Sequence, residues 1–258
     1  MAGVTIDILR MLLPMHDIVR YDNSNQTITM RDGRQGVVWS YRQTQSARTC
    51  VAALEHLHGD SAVPAVWGAD MSGQLCGTPL VLADMPRGQV LAHAAPLLST
   101  DQRYALGQQL GQIVARWHTT TFGGYGALHD ATHTLSSMRD QRISQAMSSL
   151  VEAQIAPDAT LQALVPTIRA LYHMPSTAAV LVCGDIAPET VWVERPGARW
   201  QVTGITSWSS AHAGLASAEH VRLQHHFDGE QWFALRVGYG EAYDCLLYTS
   251  PSPRDQRG

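Results

Sequence analysis

Lysine is absent from this sequence of 258 residues, and all 18 basic residues are arginine. A preference for arginine codons accounts for arginine at the surface. It does not supply the compact ammonium group of lysine at a site that needs one. Charge is scarce overall, because only 16% of the residues are charged and the formal net charge is -4. We therefore expect no extended basic surface and no nucleic-acid partner.

Long apolar runs and cysteine pairs are missing as well. No stretch has the roughly 18 consecutive apolar residues of a transmembrane helix, so we expect no membrane partner. Arg10 and Pro14 interrupt the apolar patch from Ile8 to Met15, and no small-residue cleavage site follows it, so we expect no secretory signal. The four cysteines show no CxxC spacing, which predicts free thiols in a reducing, cytoplasmic compartment.

One stretch combines an apolar run, a polar turn and a second β-rich run. Ala178 to Val182 is apolar, Cys183-Gly184-Asp185 enters the turn, and Thr190 to Val193 leaves it. A strand, a turn and a second strand can hold one carboxylate, here that of Asp185, at a cleft. A further apolar run ends in Ile205-Thr206-Ser207-Trp208.

These two segments resemble the catalytic loop, H-G-D-x-x-x-x-N, and the following I-D-W strand of the aminoglycoside phosphotransferase family. Gly77 to Gly88 resembles the last strand and hinge of the family's small lobe, and Phe233 to Tyr243 resembles a late helix. The resemblance covers about residues 15–243. It implies a protein-kinase-like α+β fold with a small β-rich lobe, 1–85, and a larger helical lobe, 86–244, which contains the loop segment 181–208.

Hydrophobic periodicity predicts elements in an order that agrees with this fold. Predicted helices cover Val4–Leu13, Thr44–His58, Thr100–His118, Leu135–Ala153 and Asp158–Tyr172, and predicted strands include Val37–Tyr41, Val63–Trp67 and Thr78–Ala83. We expect His118 to be a packed or capping residue rather than a catalytic one.

Residues 245–258 contain Ser250-Pro251-Ser252-Pro253-Arg254 and offer no apolar face. They resemble a translated sequencing adapter of the kind found in metagenomic assemblies, and a natural polar tail is the alternative. In either case we expect this segment to pack against nothing.

Phosphoryl transfer needs a base near the attacking hydroxyl, oxygen ligands for Mg²⁺ and a cation on the phosphates. The resemblance implies that Asp185 is the base, with ATP and Mg²⁺ as cofactors if the protein is active. Neutral residues occupy the family's other reactive positions. Thr190 replaces the metal-binding asparagine, and Ser207 replaces the metal-binding aspartate. Ser40 replaces the lysine that binds the phosphates, Cys50 replaces the glutamate that pairs with this lysine, and Cys183 replaces the loop histidine.

The resemblance also implies a nucleotide cleft between the lobes. Its candidate residues are Ser40 from the small lobe and Asp84 and Met85 from the hinge. Pro86, which has no N–H group, lies on or beside the position that normally donates to adenine. We expect Asp185, Thr190, Ser207 and Ser40 to converge on this cleft.

Three hypotheses follow. The first is a pseudoenzyme of the pseudokinase kind, which binds a small molecule, a nucleotide without metal, or a protein. A protein of this kind needs no cofactor. The second is an active O-phosphotransferase on a small hydroxylated or amino substrate, with Asp185 as base and Glu189 or Asp228 as substitute metal ligands. The third is an unrelated α/β fold, such as a hydrolase, which the missing G-x-S-x-G motif disfavours.

Overall fold

The computed structural model describes residues 4–13, 18–24, 26–153, 159–160, 162–163, 165–166 and 178–240. Its helices are α1 (Ile6–Leu12), α2 (Thr44–His56), α3 (Leu91–Ala94), α4 (Thr100–Trp117), α5 (Leu135–Glu152), α6 (Ala216–His226) and α7 (Gly229–Tyr239). Its strands are β1 (Ile18–Asp22), β2 (Thr27–Met30), β3 (Gln35–Ser40), β4 (Val66–Asp70), β5 (Leu80–Asp84), β6 (Gln89–Val90), β7 (Thr121–Phe122), β8 (Tyr125–Ala127), β9 (Asp130–His133), β10 (Ala179–Val182), β11 (Val191–Glu194), β12 (Gln201–Ile205) and β13 (His212–Gly214).

The N-terminal part of the fold is a five-stranded antiparallel sheet with the order β1-β2-β3-β5-β4. Successive side chains of a strand point to opposite faces, so each strand contributes to two clusters. On one face Ile28, Val38 and Leu82 form a hydrophobic cluster with Leu9 of α1. The other face belongs to the larger core, to which α2 contributes the fully buried Cys50. The sheet is therefore covered by a helix on each face.

Two further antiparallel sheets, with the orders β7-β10-β13-β8-β9 and β12-β11-β6, position the loop that carries Asp185. All four residues of β10 are buried, as the apolar run predicted. β11 pairs with β12, with Val191 opposite Ile205. This register brings Thr190 and Thr206 next to each other: the N–H of Thr206 donates to the carbonyl of Thr190 at 2.9 Å.

The helices α4 and α7 pack closely because glycines remove side chains from their contact. A Cβ atom on Gly111 would lie 2.0 Å from the carbonyl oxygen of Leu235, and one on Gly238 would lie 2.0 Å from that of Gln108. At the end of α4, Trp117 packs on Trp208 with ring centroids 4.8 Å apart. The helix pair thus supports the segment that follows Ser207.

Most predicted elements lie within two residues of their observed bounds, and two are displaced by more. β4 begins at Val66 rather than Val63, because Val66 is the first residue of this stretch to pair with β5, opposite Ala83. α7 begins at Gly229, four residues before the Phe233 where we expected it, since the carboxylate of Asp228 caps it by accepting the N–H of Gln231 at 2.9 Å.

The boundary between lobes after residue 85 stays a prediction. The tail 245–258 and most of the predicted helix 158–172 lie outside the described residues. Within the described part of the chain, no helix is both long enough and apolar enough to cross a bilayer.

Candidate functional site

A buried acidic side chain accepts hydrogen bonds from the turn that follows β10. Glu219 of α6 is 1% exposed, and its oxygens accept the N–H of Cys183 at 2.6 Å and the N–H of Gly184 at 3.2 Å. Arg222, one turn further along α6, donates from Nη1 to the carbonyl oxygen of Gly184. Together these two side chains bind the N–H and the C=O of Gly184, the residue that precedes Asp185.

Gly184 is required by this geometry. Its φ is +80°, in the left-handed region, and a Cβ atom there would lie 2.8 Å from the carbonyl oxygen of Ser210. Any side chain at this position would therefore be strained and would collide with backbone. Asp185, which follows this glycine, is only partly buried.

The structure brings Asp185 and Ser207 into direct contact. The hydroxyl of Ser207 donates a hydrogen bond to Oδ2 of Asp185. Ser207 adopts a φ of 74°, a conformation that is uncommon for a residue other than glycine and costs on the order of 1 kcal/mol. Asp185 and Ser207 are therefore adjacent, through a neutral hydroxyl on a carboxylate, but neither is among the described residues that line the cleft between the sheets.

Thr190 belongs to the same loop, but its hydroxyl faces the loop backbone. Oγ1 lies 3.0 Å from the carbonyl oxygen of Asp185 and 3.1 Å from that of Ala187, and it accepts the N–H of Ala187 at 2.9 Å. These contacts fix the turn in the manner of other threonine-backbone motifs. They leave Thr190 as a structural residue of the loop.

A cleft of about 470 Å³ lies between the five-stranded sheet and the β12-β11-β6 sheet. We call it the interlobe cleft. Its wall includes Val37 and Trp39 of β3, Met85 and Pro86 after β5, Glu189 of the loop, Trp192 of β11, and Thr206. Two indole rings and several apolar side chains give it a surface suited to a flat molecule.

Ser40 is placed differently from the prediction. Val37 and Trp39 line the interlobe cleft, so alternation along β3 turns Ser40 to the opposite face of the sheet. Ser40 is exposed and pairs with Leu80. Trp39, not Ser40, is therefore the residue of β3 that faces the cleft. We had expected Ser40 to occupy the position of the family's phosphate lysine, but the structure has a bulky neutral ring on this face.

The two hinge candidates differ from each other. The carboxylate of Asp84 accepts the indole N–H of Trp67 at 2.9 Å, and the Asp84 N–H donates to Ala65 at 2.9 Å. Met85 donates its N–H to Gln35 at 3.1 Å, while its side chain lines the interlobe cleft. Asp84 thus stabilises the sheet through hydrogen bonds, and Met85 contributes its side chain to the wall of the cleft.

These residues do not fit a magnesium site. Mg²⁺ prefers carboxylate and amide oxygens in octahedral geometry. Here the hydroxyl of Ser207 is engaged with Asp185 and that of Thr190 with backbone. Across the described residues, no group of three or more His, Cys, Asp or Glu side chains could hold a metal ion. Of the two substitute ligands considered, Glu189 lines the interlobe cleft, whereas Asp228 caps α7.

The cysteines near the site are protonated and inert at neutral pH. Cys50 and Cys183 are both free and fully buried. Burial raises the pKa of the Cys50 thiol to about 11. Burial also raises the pKa of the Cys183 thiol well above its usual range, and the nearby Glu219 carboxylate adds to the effect. Neither position supplies the charge of the glutamate or histidine expected from the resemblance.

His118 is a packed residue, as expected. Its Nδ1 lies 2.7 Å from the hydroxyl of Tyr239, and burial lowers its pKa to about 3. Sequence reasoning did not identify Glu219 and Arg222. The signal available was an acidic residue on the same helical face as the apolar Leu223, four positions later in α6.

The fold is similar to that of several solved phosphotransferases. A complex of APH(2″)-IIa with streptomycin and ATP matches with a TM-score of 0.63 and 13% identity, over 96% of this chain and 87% of that one. ADP-bound aminoglycoside phosphotransferase APH(2″)-Ib matches with a TM-score of 0.61 and 14% identity, over 95% and 86%. Macrolide 2′-phosphotransferase MphH from Brachybacterium faecium matches with a TM-score of 0.54 and 17% identity, over 83% and 72%.

These similarities confirm the predicted two-lobe, protein-kinase-like fold class. None of the curated proteins compared with the chain matches it. The sequence model of the phosphotransferase enzyme family matches residues 19–254, which is most of the 258-residue chain. The chain belongs to the phosphotransferase enzyme family.

Proposed function

We propose that this protein binds a nucleotide, or another flat small molecule, in the interlobe cleft without a metal ion and transfers phosphate poorly or not at all. The observation that carries the proposal is the hydrogen bond from Ser207 to Asp185. An efficient phosphotransferase needs a second oxygen ligand with negative charge near its base. A hydroxyl that donates to the base brings no negative charge, and its hydrogen bond occupies Oδ2 of Asp185, a carboxylate oxygen that a metal ion would need.

The composition of the interlobe cleft supports binding of the base part of a nucleotide. Trp39 and Trp192 line it together with Val37 and Met85, and base–aromatic contacts stabilise a complex by about 1–3 kcal/mol per base. ATP and ADP occupy the similar proteins described above. No arginine occurs among the described residues that line this cleft, and the sequence has no lysine. We therefore expect the phosphates to contribute little affinity.

Titration calorimetry with ATP and adenosine, each with and without Mg²⁺, tests this proposal. The wild-type protein should bind both ligands with similar affinity, and Mg²⁺ should change neither value. The double variant Thr190→Asn, Ser207→Asp restores an amide oxygen and a carboxylate, so its ATP affinity should rise when Mg²⁺ is present.

A cation at β3 provides a sharper comparison. Trp39→Lys places an ammonium group on the cleft face and should raise ATP affinity over adenosine affinity by about tenfold, as expected for a charge-assisted contact. Ser40→Lys adds the same charge on the opposite face of the same strand and should leave the ATP-to-adenosine ratio unchanged. Equal effects of the two variants would mean that the cleft has been assigned to the wrong face.

The second candidate function is an active O-phosphotransferase with Asp185 as base, and the position of Glu189 in the interlobe cleft favours it. In that case the wild-type protein should bind ATP in a Mg²⁺-dependent manner and phosphorylate an aminoglycoside or another hydroxylated amine. Such a result would overturn the pseudoenzyme proposal. Asp185→Ala should then abolish turnover, and Glu189→Gln should weaken its dependence on Mg²⁺.

A further inference from the structure

A second cleft, of about 550 Å³, lies between α5, α6 and β13. We call it the α5–α6 cleft. Its apolar wall includes Met138, Ile143, Met147 and Leu150 of α5 together with Leu215 and Ala218 near the start of α6. Its volume falls within the range of about 300–1,000 Å³ that is usual for small-molecule sites. The wall is thus suited to the apolar body of a ligand.

The α5–α6 cleft also presents positive charge. Arg139 of α5 and Arg222 of α6 line it. No aspartate or glutamate occurs among the described residues of its lining. Arginine pairs with carboxylates in a planar, bidentate geometry and tolerates partly apolar surroundings better than lysine does. The two guanidinium groups therefore favour a ligand that carries an anionic group.

The local partners of these arginines leave guanidinium charge facing the cleft. Arg139 forms its ion pair with Asp140 through Nε, at 3.3 Å, and Asp140 does not line the cleft. Arg222 contacts Gly184 through Nη1. Glu219, the acidic residue near Arg222, is 1% exposed and directs its oxygens to the amides of Cys183 and Gly184.

We propose that the α5–α6 cleft binds a small amphiphilic anion, a molecule with an apolar body and one carboxylate or similar group. The apolar side chains of the lining would cover the body, and Arg139 and Arg222 would bind the anionic group. Because Arg222 contacts the peptide directly before Asp185, the bound ligand would lie beside the loop. This inference does not depend on the interlobe cleft or on any nucleotide.

Three probes of equal chain length separate charge from apolar burial: decanoate, 1-decanol and decylammonium. Their binding to the wild-type protein is measured by calorimetry below micellar concentrations and without nucleotide. Decanoate should bind about tenfold more tightly than 1-decanol, as expected for one charge-assisted contact, and decylammonium should bind most weakly. Decylammonium binding as tight as that of decanoate would overturn the proposal, and so would failure to bind decanoate.

Variants locate the site. Arg139→Gln should weaken decanoate binding about tenfold and leave 1-decanol binding unchanged, because it removes the charge and keeps the apolar wall. Arg199→Gln, an exposed arginine outside the cleft, is the matched control and should change neither affinity. Decanoate affinity that is the same in both variants would refute the role of Arg139.

Ala146→Trp tests the cleft without threatening the fold, because Ala146 is exposed and lies in the lining on α5. The indole should obstruct the cleft and weaken decanoate and 1-decanol together by at least tenfold. Unchanged affinity for both probes would place their binding elsewhere on the protein and would contradict the proposed site. None of these measurements involves ATP, so the nucleotide proposal stands or falls separately.

Discussion

Glu219 offers the most direct test of how this loop is stabilised. Replacement by alanine leaves two N–H groups, those of Cys183 and Gly184, without their acceptor, and both residues are buried. Each buried and unsatisfied N–H costs about 1–3 kcal/mol, so the pair costs about 4 kcal/mol. For a protein of this size, about 2–4 °C of melting temperature corresponds to 1 kcal/mol. Glu219→Ala should therefore lower the melting temperature by about 8–16 °C when the carboxyl group is protonated.

The size of this effect depends on pH, because burial raises the pKa of Glu219 to about 7, against the opposing effects of the backbone hydrogen bonds and of Arg222. A carboxyl group whose pKa is higher in the folded than in the unfolded protein binds more protons when folded. Its contribution to stability is complete below the unfolded value of about 4.5 and is lost as pH rises towards 7. The loss is about 3 kcal/mol.

The assay is thermal unfolding of the wild type, Glu219→Ala and the control Gln224→Ala at pH 5 and pH 8. Gln224 is exposed on the same helix, so its replacement should change stability by less than about 0.5 kcal/mol at either pH. Glu219→Ala should be far below the wild type at pH 5 and much closer to it at pH 8. A melting temperature equal to that of Gln224→Ala at pH 5 would refute the proposed role of Glu219.

Three further outcomes are expected. Gly111→Ala should destabilise the protein by about 1–3 kcal/mol or more in urea unfolding, because its Cβ would collide with the backbone of α7, whereas Gly123→Ala, where a Cβ meets nothing within 4 Å, should be nearly neutral. Burial lowers the pKa of His118 to about 3, so its neutral form contributes stability that is lost as pH falls below about 6.5, and the stability gap between the wild type and His118→Leu should narrow from pH 7 to pH 4. Deletion of residues 245–258 should leave the melting temperature unchanged, and a clear decrease would show that the predicted tail is part of the fold.

Local sequence patterns predicted the fold well where burial is periodic along the chain. The apolar run before Cys183 gave a fully buried β10, and the spacing of apolar residues gave α4 to within one residue. Gly184 was part of the motif that identified the loop, and its φ of +80° explains why glycine is needed there. These features are local, so the sequence contains the information in a short window.

The candidate site was less predictable, for two physical reasons. Strand side chains alternate, so a shift of one residue exchanges the faces of a sheet, and this shift separates Ser40 from Trp39. The contacts of Glu219 with Cys183 and Gly184 join residues 36 and 35 positions apart. No local pattern specifies such contacts, because they are formed only when α6 packs beneath β10.

The neutral residues around Asp185 are consistent with one another in electrostatic terms. Two carboxylates about 4 Å apart repel by about 4 kcal/mol at an effective dielectric constant of 20. A second acid at Ser207 would therefore be unfavourable unless a metal ion or a lysine balanced it. Trp39 occupies the cleft face of β3, and the chain has no lysine. A serine at position 207 gives the Asp185 carboxylate a hydrogen-bond donor without adding a second negative charge. Glu219 and Arg222 meanwhile fix the loop through backbone contacts that need no metal ion. A loop built in this way keeps its shape whether or not the protein transfers phosphate, so the fold can retain the loop of a phosphotransferase although Thr190 and Ser207 carry no negative charge.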